Sequence, residues 1–294
     1  MIGTNVLDRR PSRLFDGVMT TAYGPGPTGA AADHGVPALD LQGLVKTFGP
    51  KQAVAGLDLR VAPGRMFGLV GPNGAGKTTT LSMATGLLRP DAGRALVLGH
   101  DVWADPPAAK ALMGVLPDGL RLFDRLSGRE LLHYVGRLRG VPEPDIESRS
   151  VELLAALGLS EDAGQLVVDY SAGMTKKIGL ACALIHAPRL LILDEPFEAV
   201  DPVSGEGIRS ILRGYARSGG TVVLSSHVME LVESLCDSLA VVAAGRVLAA
   251  GTLDDVRAGE SLQQRFLEMV GGPALAASQA GGEEALAWLR SSSV

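Results

Sequence analysis

The chain has 294 residues, a mass of 30.4 kDa and a formal net charge of −5. Apolar residues make up 46% of it, enough to fill the core of one large domain or two small ones and too many for a chain that is disordered through most of its length. There is no clustered excess of Lys and Arg of the kind that marks nucleic-acid binding, so no nucleic acid is expected as a partner, and direct binding to anionic lipid is not favoured either.

A membrane-spanning helix needs about 20 nearly uninterrupted apolar residues. The best run, Ile178 to Leu193, is broken by His186, Pro188 and Arg189. The beginning of the chain shows no basic segment followed by an apolar run and a small-residue cleavage site, so no secretory signal is expected. The two cysteines, Cys182 and Cys236, sit in helix-like apolar patterns without metal-ligand spacing and read as reduced core residues. These features together are cytoplasmic in character.

In chain order, residues 1–37 have little periodic pattern and carry a Gly/Pro/Ala stretch from Gly24 to Pro37, the composition of a flexible tail. From Leu39 the pattern sharpens. Leu57, Leu59 and Val61 alternate with Asp58 and Arg60, which is the period of a half-buried strand. With Leu39 to Phe48 they predict a small antiparallel sheet, and Met66 to Val70 reads as a buried strand that runs into a Gly-rich turn. Further on, Leu190–Leu193 and Thr221–Leu224 read as buried parallel strands, short and apolar without alternation. Between them Ile208, Ile211, Leu212 and Tyr215 fall at helical spacing, with Asp201 as N-cap and Pro202 at the first helical position. Val228, Leu231, Val232 and Leu235 repeat that spacing. A β/α alternation of this kind predicts an α/β protein with a mostly parallel sheet flanked by helices. Residues 117–184 break the alternation and read as a helical insertion, with Leu131, Val135 and Leu138 on one face. The main domain is expected over 38–252, and 253–294 as an extension that is partly helical or mobile.

Gly71-Pro72-Asn73-Gly74-Ala75-Gly76-Lys77-Thr78, followed by Thr79, fits G-x-x-x-x-G-K-[ST] and comes directly after the strand Met66–Val70. Gly74 and Gly76 let the backbone curl so that its N–H groups point at phosphate oxygens. The helix beginning near Lys77 adds its positive dipole end. In this motif the lysine, here Lys77, neutralises the β- and γ-phosphates of ATP, and the Thr78 hydroxyl reaches Mg²⁺. A second feature is the apolar run Leu190–Leu193 closed by Asp194 and Glu195. Carboxylates at the C-terminal edge of a buried strand lie where ligands bind in α/β sheets. Asp194 suits holding Mg²⁺, a hard cation that prefers oxygen, and Glu195 suits orienting or deprotonating an attacking water.

Between these motifs, Tyr170-Ser171-Ala172-Gly173-Met174 opens a helix. It resembles the signature of ATP-binding cassette (ABC) proteins, usually Leu-Ser-Gly-Gly-Gln. Asp201 after Glu198-Ala199-Val200 looks like that family's D-loop, and Ser225-Ser226-His227 like its switch histidine. Phe48 lies where the family places a ring against adenine, and Asp118 where it has the Gln of the Q-loop. The resemblance runs over roughly Leu39–Gly251 and implies a P-loop NTPase fold with a small antiparallel β-subdomain and a helical insertion subdomain. It also implies two such cassettes pairing head to tail on ATP, as a homodimer or with a similar cassette. Ser171 and Gly173 would then meet the γ-phosphate across the interface, His227 would hydrogen-bond it, and Thr78, Asp118 and Asp194 would surround Mg²⁺. Ser171 is equally able to act as an ordinary helix cap. Ala172, Met174 and Asp118 depart from the family pattern. Lys176 and Lys177 read as a solvated helix face.

The segment Leu120–Glu130 looks like that of export-type cassettes, which serve a separate polytopic membrane subunit. The chain is therefore expected to be an ATPase at the cytoplasmic face of the cell membrane, peripheral through that subunit. Two alternatives stay open on these residues: a soluble ABC ATPase acting on ribosome or DNA, and a regulatory module that binds ATP and hydrolyses it weakly or not at all.

Overall fold

The computed structural model describes residues 35–271. Most of the expected N-terminal tail and residues 272–294 lie outside the described residues. Two sheets organise the chain. The first is antiparallel, with the order β2-β1-β4-β5: β1 (Leu39–Phe48) and β2 (Lys51–Val61) form a hairpin, and β4 (Ala92–Val97) and β5 (His100–Asp101) extend it. The alternation read in β2 is real, since Leu57, Leu59 and Val61 are buried while Asp58 and Arg60 are exposed.

The second sheet has the order β10-β9-β3-β8-β7-β6. Its strands β3 (Met66–Val70), β6 (Met113–Leu116), β7 (Leu190–Leu193), β8 (Thr221–Ser226) and β9 (Ser238–Ala243) run parallel, and β10 (Arg246–Thr252) closes one edge antiparallel. All of β3, β7 and β8 is buried, as expected of parallel strands covered on both faces. The helices that cover them are α1 (Lys77–Ala84), α2 (Pro106–Leu112), α6 (Pro202–Arg217) and α7 (Met229–Leu235). Asp201 caps α6 by accepting the Ser204 N–H at 2.9 Å, with Pro202 next to it, and Ile208, Ile211, Leu212 and Tyr215 are buried as their spacing predicts. A short helix α8 (Leu253–Arg257) and helical residues 262–271 come after β10.

Between β6 and β7 the ordered elements are helical: α3 (Gly128–Leu138), α4 (Glu143–Ala156), a 3-10 turn at Val167–Asp169, and α5 (Ala172–Leu184). Ser127 and Glu130 form a capping box at the start of α3. The face of α3 differs from the predicted one. Leu131 is fully buried but Leu138 is 67% exposed, and the inward side holds Leu132 and Gly136 instead. A Cβ at Gly136 would meet Ile146 Cγ1 of α4 at 2.8 Å, so the two helices are in close contact at the glycine, and the buried face is on its side and away from Leu138. In α7 the same kind of shift occurs: Val228 precedes the helix and is 42% exposed, and Met229, Val232 and Leu235 are buried. Both cysteines are free, Cys236 buried and Cys182 partly so, and burial pushes both thiols up to about 12, so they stay neutral as core residues.

The helical segment docks on the sheet through α5 against β6, where a Cβ on Gly114 would meet the Ala183 carbonyl oxygen at 2.1 Å. Backbone cannot yield as a side chain would. Gly114→Ala is therefore expected to destabilise the fold by about 1–3 kcal/mol, seen as a fall in Tm of roughly 2–10 °C. An unchanged Tm would show that α5 moves off β6 without cost.

Candidate functional site

The site is built where parallel strands end together. In register, Val70 at the end of β3 pairs with Ser226 of β8, and Leu193 at the end of β7 pairs with Leu224 of the same strand. The segments after these strands are thereby gathered at one edge: the loop Gly71–Gly76 after β3, Asp194 and Glu195 after β7, and His227 after β8.

The loop has the shape its glycines predict. Gly74 and Gly76 have φ of +79° and +105°, a region that favours glycine. At Gly76 a side chain is excluded twice over, because its Cβ would meet the Ala53 carbonyl oxygen at 2.5 Å. Gly76 is also the N-cap of α1 and supplies no side-chain cap, so the first amides of α1 are free to bind an anion. Gly71 and Pro72 do not line the cleft; their carbonyls accept hydrogen bonds from Lys77 Nζ at 2.8 and 3.4 Å. Gly245, in the β9–β10 turn, donates to the Ala75 carbonyl at 2.9 Å and fixes the loop from behind.

In front of the loop lies a cleft of about 420 Å³ lined by Asn73 to Thr79, Glu195, His227 and Asp118, with Phe48 at its side. Phe48 is 49% exposed, and Lys46 Nζ lies 5.7 Å from the centre of its ring. Three lining residues carry no signal in the sequence: Lys51, Ala53 and Glu198. They belong to no motif of their own: Lys51 and Ala53 stand at the start of β2, and Glu198 lies in the bend after β7.

Electrostatically, Glu195 is the centre. Its Oε1 lies 3.5 Å from Lys77 Nζ and its Oε2 lies 3.1 Å from His227 Nδ1. Lys77 is buried and Glu195 nearly so, while His227 is open to solvent. Asp194 sits deeper, and burial pushes its carboxyl above the ordinary range; hydrogen bonds from Ser225 and Thr78 oppose that shift, and the charges of Asp118 and Glu195 add to it. A buried carboxylate beside the Thr78 hydroxyl, with further carboxylates within electrostatic range, is an all-oxygen donor set short of positive charge. Those residues fit a hard divalent cation.

Ser171 and Gly173 lie elsewhere. Ser171 caps α5, accepting the Met174 N–H at 3.2 Å, and neither residue lines the cleft. Their neighbour is the start of α6: a Cβ on Gly173 would stand 3.1 Å from both Asp201 Oδ2 and Ser204 Oγ. Asp201 is likewise placed at the signature and away from the loop. Lys176 departs from the solvated helix face that its sequence suggests. It is partly buried and its Nζ donates to the Glu195 carbonyl at 3.1 Å. Ser225 is a further residue that the sequence does not single out for a role of its own, although it stands only two positions before His227. Its hydroxyl accepts the Glu195 N–H at 2.8 Å and donates to Asp194 Oδ1.

The chain is similar to proteins of known kind. The model of the family described as ABC transporter matches residues 54–198. The daunorubicin resistance ATP-binding protein DrrA3 of Streptomyces coeruleorubidus is 40% identical over 221 residues, which cover 75% of this chain and 70% of that protein. The Nod factor export ATP-binding protein I of Rhizobium sp. (strain N33) is 41% identical over 215 residues, 73% of this chain and 71% of that one. Among solved structures, an ATP-binding subunit of an ABC transporter superposes with a TM-score of 0.74 at 29% identity, over 79% of this chain and 99% of that one. No helix among the described residues is long and apolar enough to cross a membrane. With the phosphate-type loop, the acid-ended strand and the capped signature helix in the same chain, these likenesses show that the protein belongs to the ABC transporter family, as an ATP-binding cassette that hydrolyses ATP to power transport.

Proposed function

We propose that this cassette drives export, with Glu195 as the base that orients and deprotonates the attacking water. The observation that carries the reading is the placement of the Glu195 carboxylate between Lys77 and His227, directly before the loop amides. Lys77 and the N-terminal amides of α1 hold the phosphates and offset their charge. With its carboxylate between Lys77 and His227, Glu195 would accept the proton of the attacking water. His227, on the exposed side of Glu195, is positioned to donate to the γ-phosphate and to keep the carboxylate turned toward it. Phe48 supplies an apolar ring for the base.

Asp194, Thr78 and Asp118 would hold Mg²⁺, which when bound supplies charge neutralisation between the phosphates. That Ser171 and Gly173 do not line the cleft of their own chain favours their use on a second cassette: a helix N-terminus with a hydroxyl and a glycine amide receives an anion well. A pair of these chains, or this chain with a similar one, would close on two nucleotides. Export is favoured because the relatives quoted are named for resistance and export, and a separate polytopic membrane subunit would receive the chain at the cytoplasmic face of the membrane.

Glu195→Gln is expected to lower steady-state ATP turnover by about a hundredfold or more while ATP still binds; turnover equal to that of the natural chain would remove Glu195 from this role. Lys77→Ala is expected to weaken ATP binding by about 10- to 100-fold, measured by titration with a fluorescent ATP analogue, and equal affinity would sink the phosphate assignment. Tagged in its host and gently solubilised, the chain is expected to bring down a polytopic membrane protein in near-equal amount. Ribosomal or DNA-repair proteins in its place would reverse the transport reading.

A further inference from the structure

We propose that Ser225 and Lys176 are positioning residues that hold the backbone of Glu195 from two sides, so that turnover depends on both although neither lines the nucleotide cleft. This rests on the reading of Glu195 as the base.

Glu195 has φ of +46°, an uncommon conformation for a residue with a side chain, and one that persists where the surroundings over-determine it. The surroundings here are specific. The N–H of Glu195 donates to Ser225 Oγ at 2.8 Å, and its carbonyl accepts from Lys176 Nζ at 3.1 Å and from the Glu198 N–H at 3.2 Å. Both polar groups of the residue are thus occupied, and by different elements: Ser225 comes from β8 and Lys176 from α5.

Ser225 is fully buried and its one hydroxyl does two things. It accepts from Glu195 and donates to Asp194 Oδ1, which ties the two acidic residues into one unit. Removing it strands a backbone donor and takes a donor from the Asp194 carboxylate. Lys176 acts from the other side. It lies on the helix that begins at Ser171 and Gly173, so any displacement of that helix relative to β7 pulls on the Glu195 carbonyl. The hold therefore links the signature helix to the glutamate of the same chain. A side chain rotating about a misplaced backbone would leave the reach of Lys77 and His227, and a misplacement on the order of 1 Å costs up to about a hundredfold in rate.

The test compares S225A, S225T, K176M, K176R and E195Q in the full chain, by kcat, KM for MgATP and Tm. S225A and K176M are expected to lower kcat by about 10- to 100-fold with KM close to that of the natural chain; Tm stays close to natural in K176M and falls by roughly 2–10 °C in S225A, which strands a buried donor, and S225T and K176R recover most of the rate. K176M lies on a partly exposed helix face, so it keeps the test open if S225A does not fold. Natural kcat in K176M or in S225A overturns the proposal, as does K176R being as slow as K176M. E195Q separates the two ideas: natural turnover in E195Q removes the reading of Glu195 itself, whereas an inactive E195Q beside an undiminished K176M removes only the hold.

Discussion

The parallel register of β3, β8 and β7 is the constraint on which the site depends. Pairing Val70 with Ser226 and Leu193 with Leu224 makes three strands finish within two residues of one another at one edge. Parallel strands place all their C-terminal ends on the same edge, and ligands of open α/β sheets bind there. Had any one strand slipped by a residue, its side chains would have exchanged faces. Leu193 would then point away from its half of the core, and the carboxylates after it would leave the loop. The apolar runs that look like mere core filler are thus what aim the polar residues.

The charges gathered at that edge need one another. Asp194, Glu195 and Asp118 bring negative charge to a partly buried place, and burial by itself raises the Asp194 carboxyl. Lys77 contributes one fixed positive charge nearby, held by the carbonyls of Gly71 and Pro72 as well as by Glu195. A nucleotide with a divalent cation would complete this arrangement electrically, the cation offsetting the carboxylates around Asp194 and the phosphates offset by Lys77 and the α1 amides. The loop is backed in this shape by the Gly245 N–H, which donates to the Ala75 carbonyl, and by the Ala53 carbonyl, which lies close behind Gly76.

Much of this was legible in the sequence because it is local. A loop of fixed spacing, an apolar run ended by two acids, and Asp-Pro before a helical repeat each carry their physical reason within a few residues, and β1, β2, β3, β7 and α6 lie where those patterns put them. The features that escaped were set by contacts between distant segments. Leu138 has the right spacing to be buried, but the approach of α4 over Gly136 turns the helix. Lys176 has the composition of a solvated face, yet the start of the bend after β7 happens to lie within its reach. Ser225 stands in an apolar strand, where nothing in its neighbours along the chain says that its hydroxyl meets two residues about thirty positions earlier. Lys51, at the start of β2, and Glu198, in the bend after β7, reach the cleft and belong to no repeat.

The departures from the family pattern can be weighed on the same physical terms. A glycine is indispensable where φ is positive or where backbone or side chain comes too close for a Cβ. Ala172 meets neither condition: it is the first residue of α5, directly after the Ser171 cap, and its φ is not in the positive region. Alanine in place of glycine there also favours the helix. Gly173 is different, since a Cβ would crowd Asp201 and Ser204 at 3.1 Å, and at this position the chain keeps the glycine. Met174 packs its side chain partly onto the core, so the polar residue of the common pattern is exchanged for apolar burial within the first turn of the helix. The signature therefore retains the hydroxyl and the glycine that an anion would meet, and varies where the helix tolerates or gains from the change. Asp118 is the one departure that alters charge inside the cleft. Its charge adds to the upward shift that burial causes in the Asp194 carboxyl, and it places a negative oxygen in the cleft where a neutral amide would not.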